Sequence, residues 1–144
     1  VRAFPDALRF VQAVVALHLP LACASSSKNA DAMIRPVRLD GGASLLDAFK
    51  ANVNGRDLRQ GKPDPEIFLL AAAELGVAAA RCLVVEDASA GIEAARAGGM
   101  ASLGVARLGD AHVLRAAGAD LVVTSLDDVA IDELAAGRLR RRRT

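Results

Sequence analysis

The chain contains no tryptophan and no tyrosine, and its only aromatic residues are four phenylalanines. With 53% of residues hydrophobic, the core must therefore be built from Ala, Val, Leu and Ile, as in a doubly wound α/β protein. Only two cysteines occur, Cys23 and Cys82. Both lie inside apolar strand candidates, which predicts buried, reduced thiols in a cytoplasmic protein and no disulfide framework. No apolar run reaches membrane-spanning length, and no signal peptide is visible. The net charge of +1 offers no electrostatic case for nucleic acid as a partner of the whole chain. Charge of one sign gathers only in Arg138-Leu139-Arg140-Arg141-Arg142-Arg143-Thr144. That run could touch anions, but it is expected to be a disordered, solvated tail (138–144) on a core of residues 1–137. At 144 residues the length is that of one domain, which buries roughly 68% of its unfolded surface.

What is present is an alternation of strand and helix patterns. Residues 5–18 place Leu8, Val11 and Val15 near one helical face. Leu19–Ala24 reads as a strand, followed by the polar loop Ser25-Ser26-Ser27-Lys28-Asn29. Residues 30–48 show no clear period. Pro36 breaks any long helix there, Gly41-Gly42 marks a loop, and Ser44–Phe49 fits a short helix. A strand over Phe49–Val53 and a turn at Asn54-Gly55 follow. Gly61-Lys62-Pro63-Asp64-Pro65 feeds a helix over Glu66–Leu75. Strands over Cys82–Val85, Ala101–Val105 and Leu121–Val123 then alternate with helices over Ala90–Ala97, Ala111–Ala117 and Leu126–Ala136. This order predicts a parallel sheet.

One stretch carries the chemistry. Leu83-Val84-Val85 is a short apolar run of strand formers, as expected of a strand buried on both faces. Glu86 and Asp87 follow where that strand should end, with Ser89 placed to cap the next helix and Gly98-Gly99 to stop it. The carboxyl edge of an open α/β sheet is where ligands bind. Two adjacent carboxylates repel when ionised, so a hard cation such as Mg²⁺ is their natural partner. The alternative is a plain acidic loop in which Asp87 helps to cap the helix.

Two further polar groups fall in strand-end loops. Ser25 and Ser26, with nearby backbone N–H groups, could hold a phosphate. Lys62, fixed by the following proline, could neutralise the same anion as a point charge. Hydroxyl, lysine and paired acids are what phosphoryl transfer requires, because its catalysis is mostly positioning and charge neutralisation.

These stretches resemble the haloacid dehalogenase-like family of phosphatases and phosphomutases. Ala24-Ser25-Ser26-Ser27-Lys28-Asn29 is similar to the family's second motif, Gly61-Lys62-Pro63-Asp64-Pro65-Glu66-Ile67-Phe68 to its third, and Val85-Glu86-Asp87-Ala88-Ser89-Ala90-Gly91-Ile92-Glu93-Ala94-Ala95 to its fourth. The Ser-Lys-Asn ending of the second motif resembles the β-phosphoglucomutase branch, where Ser often stands in place of Ala88. The resemblance implies a Rossmann-like three-layer α/β/α fold with a parallel sheet. It also implies Mg²⁺-dependent phosphoryl transfer on a small phosphorylated sugar through an aspartyl-phosphate. Ser25 would contact the phosphate, Lys62 would stabilise the phosphoaspartyl state, Glu86 and Asp87 would serve the metal, and Ser26, Lys28 and Asn29 would lie near phosphate or sugar.

The family's first motif, an Asp-x-Asp that supplies nucleophile and acid/base, occurs nowhere in these residues. The strand that carries it, which lies between the strand of Ser25 and the strand of Glu86, and the cap domain that follows are expected to be missing. Two readings stay open. One is the core part of a longer enzyme. The other is a shortened, non-catalytic α/β module that retains an anion site and a metal site. In either case the exposed strand edges could drive self-association.

Overall fold

The computed structural model describes residues 3–143. Val1, Arg2 and Thr144, assigned above to the core and the tail, lie outside the described residues. The helices are α1 (Pro5–Ala16), α2 (Ala30–Ile34), α3 (Glu66–Leu75), α4 (Ser89–Ala97), α5 (Ala111–Ala116) and α6 (Ile131–Ala135). The strands are β1 (Ala22–Cys23), β2 (Ala51–Asn52), β3 (Leu83–Glu86), β4 (Ala101–Val105) and β5 (Leu121–Val123). Short 3-10 turns occupy Leu45–Ala48, Ala79–Arg81 and Leu126–Asp128.

Every strand pairing is parallel. β1 pairs with β2, and β4 lies between β3 and β5. The period of two along the strands sorts side chains onto two faces. Leu103 and Val105 of β4, with Val123 of β5, pack against Phe10 and Val14 of α1. On the other face Val122 meets Ile92 of α4 and Leu114 of α5. Val84 of β3 joins Ile67, Phe68, Ala71 and Ala72 of α3 and Ala94 and Ala95 of α4. Helices thus cover both faces, in a Rossmann-like three-layer α/β/α arrangement. The core is aliphatic, as the scarcity of aromatic residues requires. No helix of the described residues is long and apolar enough to cross a membrane.

Between the two sheets runs a mostly apolar cleft of about 690 Å³, lined by Leu19–Ala24 on one side and Cys82–Glu86 on the other. Among the described residues no strand lies between β1 and β3. This is the expected gap in the sheet, and it explains why β1 is two residues long where six were expected. A strand bonded along one edge only has little ladder to hold it.

Three other segments differ from expectation. A short helix, α2, forms in the stretch that showed no period. Residues 126–136 are not one helix. Ser125 Oγ accepts the Asp127 N–H and opens a 3-10 turn. The chain then extends before α6, because Val129 and Ala130 pair with the arginine run. That run was expected to be disordered. Instead, Arg141 forms an antiparallel bridge to Val129, the Ala130 N–H donates to the Arg140 carbonyl (3.0 Å), and Leu139 packs under α1. Arg141 Nη2 also donates to the Val122 carbonyl at 2.7 Å, so the basic segment covers part of the outer edge of β5.

α1 is fastened at its first turn. Asp6, 7% exposed, accepts from Arg107 Nη1 (2.9 Å) and from the Leu126 N–H (2.7 Å). Burial works to raise the Asp6 carboxyl, but Arg107 and the Leu126 N–H outweigh it and the net direction is downward. A carboxyl depressed in the folded state stabilises above its unfolded pKa, and that contribution is lost as pH falls through the folded value. Asp6→Asn should therefore lower the unfolding free energy at neutral pH by about 1.5–3 kcal/mol. The deficit should shrink as the pH falls below the ordinary carboxylate range. Urea midpoints at neutral and acid pH check both parts, and a deficit independent of pH would contradict the assignment.

Candidate active site

The serine loop leaves β1 and enters α2 through two hydroxyl-capped turns. Ser25 Oγ accepts the Ser27 N–H (3.2 Å), and Ser27 Oγ accepts the Asn29 N–H (3.2 Å). Because Ser25 Oγ is used there as an acceptor, its own O–H remains free to donate. Ser26 is exposed. Asn29 stands at the N-cap of α2 and makes no side-chain cap bond. Lys28 does not project freely into solvent. Its Nζ donates to the Gly55 carbonyl (2.5 Å) and pairs with Asp57 (2.7 Å), an exposed arrangement.

The lysine loop is held from its far side. Glu66, at the start of α3, accepts the N–H groups of Arg59 and Gln60, both at 2.9 Å. These bonds hold its carboxyl below the usual range. Asp64 Oδ1 accepts the Glu66 N–H and the Gly61 carbonyl accepts the Asp64 N–H, both at 3.0 Å. Lys62 leaves this loop with its ammonium 5.0 Å from the centre of the Phe68 ring. It pairs with Glu86 Oε2 at 2.9 Å, the two side chains being 22% and 13% exposed. Such a pair is sheltered enough to matter, unlike most surface ion pairs.

Glu86 is the last residue of β3, and Asp87, exposed, begins the loop to α4. Ser89 does not cap that helix. Ala88 is the N-cap residue, without a side-chain bond, and Ser89 is the first helical residue. The residue that shapes this corner is Gly91. A Cβ there would overlap Cγ, Cδ and Oε2 of Glu86, so the carboxylate occupies the space a side chain would fill. The motif contains Gly91, but its role is not visible from the sequence around it. The available signal was a glycine inside a helix, which costs about 1 kcal/mol relative to alanine and so implies a packing reason.

Gly91→Ala should gain about 1 kcal/mol in helix propensity. It must also expel Glu86 from Lys62, and uncoupling a sheltered, hydrogen-bonded charge costs about 1–3 kcal/mol. The variant is expected to unfold at a lower temperature than the parent, despite the better helix former. Differential scanning calorimetry checks this, and a raised midpoint would contradict the packing described.

For a divalent cation, the donors fit in kind. Glu86 and Asp87 are adjacent oxygen ligands, as Mg²⁺ prefers. They are short in number. Among the described residues no group of three His, Cys, Asp or Glu side chains could hold a metal ion, and Glu86 is shared with Lys62.

The chain is thus a parallel α/β fold with a serine turn after one strand and a lysine paired to an acid at the end of another. Residues 1–99 match the haloacid dehalogenase-like hydrolase family, and the chain belongs to that family. It is 40% identical over 117 residues to a β-phosphoglucomutase of Bacillus subtilis, a match covering 81% of this chain and 47% of that protein. It is 38% identical over 120 residues to a phosphorylated carbohydrates phosphatase of Thermotoga maritima, covering 82% of this chain and 52% of that protein. Among solved structures, the β-phosphoglucomutase of Clostridium difficile superposes with a TM-score of 0.77 at 29% identity, covering 92% of this chain and 55% of the other. The chain thus spans about half the length of these relatives.

Proposed function

We propose that this chain forms the larger part of the core of an enzyme that transfers a phosphoryl group to or from a small phosphorylated sugar. The observation that carries the proposal is the Lys62–Glu86 pair, whose Glu86 ends β3 and lines the apolar cleft between β1 and β3. In this reading Ser25 donates its free hydroxyl hydrogen to a phosphate oxygen, and Lys62 supplies a positive charge beside it. Ser26, Lys28 and Asn29 would lie near the phosphate or the sugar. Glu86 and Asp87 would hold Mg²⁺, which supplies charge neutralisation on the phosphoryl oxygens. The attacking carboxylate must come from a strand seated in the cleft. Its oxygen bonds to phosphorus as the phosphorus–oxygen bond to the sugar breaks, and the acid/base carboxyl of the same Asp-x-Asp motif gives its proton to the departing sugar oxygen, leaving an aspartyl-phosphate and a free sugar hydroxyl. Similarity to both a mutase and a phosphatase supports the sugar-phosphate class without choosing between the two outcomes. The two free cysteines fit a reducing, cytoplasmic setting.

The absence of Asp-x-Asp favours a second reading, a non-catalytic module that retains the anion and metal sites. Both readings need the metal site, so it is tested first. Mg²⁺ keeps several waters and needs few protein ligands, so Glu86 and Asp87 should bind it at millimolar levels. Calorimetric titration should show saturable Mg²⁺ binding by the parent chain, reduced at least about tenfold by Asp87→Ala, a change worth 1.4 kcal/mol. Identical heats for the two proteins would make Glu86-Asp87 a plain acidic loop and overturn the metal assignment.

A further inference from the structure

The turn at Asn54-Gly55 is not a simple connection. It grips both backbone groups of Ser25. The Ser25 N–H donates to Asn54 Oδ1 at 2.7 Å, and the Ser25 carbonyl accepts the Gly55 N–H at 2.8 Å. Immediately before this, the Val53 N–H donates to the Cys23 carbonyl at 2.9 Å, so the last bond of the β1–β2 ladder runs directly into the grip. Gly55 has φ +65°, and a Cβ there would stand 3.2 Å from Lys28 Cα and 3.3 Å from the Ser27 carbonyl oxygen. A bulkier residue would push the turn away from the serine loop.

The Asn54 amide could in principle present either its oxygen or its nitrogen to Ser25. Asp31, on α2, decides which, together with Cys23, whose Sγ accepts from Asn54 Nδ2 at 2.7 Å. Asp31 Oδ1 accepts from Asn54 Nδ2 (2.9 Å) and from Asn52 Nδ2 (2.9 Å). Asn52 Oδ1 in turn accepts the Asn54 N–H at 2.9 Å. An ionised carboxylate can only accept, so it fixes the NH₂ end of Asn54 toward itself and the carbonyl end toward Ser25. Those two amide bonds hold the Asp31 carboxyl below its usual range, so it stays ionised at neutral pH. The chain of contacts runs from Asp31 through Asn54 to the peptide of Ser25, while the Ser25 hydroxyl hydrogen is left free.

We propose that Asn54, oriented by Asp31, is a positioning residue that fixes the Ser25 hydroxyl for a phosphoryl oxygen. The inference rests on the reading of Ser25 as a phosphate contact, and the experiment separates the two. Inorganic phosphate is titrated into the full chain, followed by ³¹P line broadening, for the parent, Ser25→Ala, Asn54→Ala, Asp31→Asn and the Ser25→Ala/Asn54→Ala double variant. Far-UV circular dichroism verifies that each is folded. The expected result is saturable binding by the parent and a loss of roughly tenfold for Ser25→Ala. Asn54→Ala should lose nearly as much, and Asp31→Asn, which lets the amide turn over, should lose several-fold. Asn54→Ala should cost nothing further once Ser25 is Ala, because a positioning residue acts only through the group it positions. No binding by the parent, or full binding by Ser25→Ala, overturns the phosphate reading and this inference with it. Loss in Ser25→Ala with full binding in both Asn54→Ala and Asp31→Asn overturns the positioning role alone, as does an additive double variant. Asp31→Asn keeps the judgement open to test if Asn54→Ala does not fold.

Discussion

Purified as 144 residues, the chain is expected to turn over neither p-nitrophenyl phosphate nor β-glucose 1-phosphate at an enzymatic rate. In the proposed site Ser25, Lys62 and the Glu86-Asp87 pair would hold and neutralise a phosphoryl group, while the carboxylate that would attack phosphorus is assigned to a strand seated in the cleft. Where a catalytic nucleophile is removed and the charge-stabilising groups remain, residual acceleration is about 10³–10⁴ over water. Enzymes working on the slowest phosphate monoesters exceed the uncatalysed rate by up to ~10²¹. The remaining groups therefore fall short by many orders of magnitude, and the rate should lie below detection with or without Mg²⁺. Lys62→Ala should leave the measured background unchanged, which separates contamination from true residual turnover. A Mg²⁺-dependent rate in the ordinary range of about 1–10³ s⁻¹ that Lys62→Ala abolished would show that another residue of this chain attacks, and would overturn the prediction.

The alternation of strands and helices, and the lysine and acids as candidate site residues, were legible in the residues because each carries a local signal, whereas the pairing of Lys62 with Glu86 was not. A short apolar run ending in two acids marks β3, and a lysine locked before proline marks the loop that reaches Glu86. The roles that stayed hidden depend on atoms distant in sequence. Gly91 looks like a helix defect until Glu86 is seen folded over it. Asn54-Gly55 looks like any turn until Asp31 is seen to set its amide. Residues 126–136 carry a helical period, yet the backbone of Val129 and Ala130 is claimed by Arg140 and Arg141. That is a tertiary pairing which propensity cannot anticipate. The arginine run misleads for a related reason. Charge density argues for solvent, whereas Leu139 and the long stem of Arg141 argue for packing, and arginine can satisfy both.

The cleft makes the second large prediction. Among the described residues β1 is bonded only to β2 and β3 only to β4, so each presents an unpaired parallel edge to an apolar groove. Val85, in the middle of β3, is 39% exposed. Each backbone group buried without a partner costs about 1–3 kcal/mol, and a domain stable by ~5–15 kcal/mol cannot absorb many of them. Such edges recruit other strands. The chain as 144 residues is therefore expected to self-associate, with a broad thermal transition whose midpoint depends on protein concentration. Val85→Lys places a charge on the open edge of β3, and this kind of gatekeeper blunts strand addition. It should shift the mass measured by light scattering toward the monomer at equal concentration, while the helical circular dichroism stays unchanged. Seating a separate apolar strand in the cleft would satisfy the same edges, and should raise the midpoint and remove its concentration dependence together. If the parent is instead a monomer with one sharp, concentration-independent transition, the edges are already satisfied. The cleft would then be closed in solution by direct pairing of β1 with β3, and the fold would be a self-contained, shortened one.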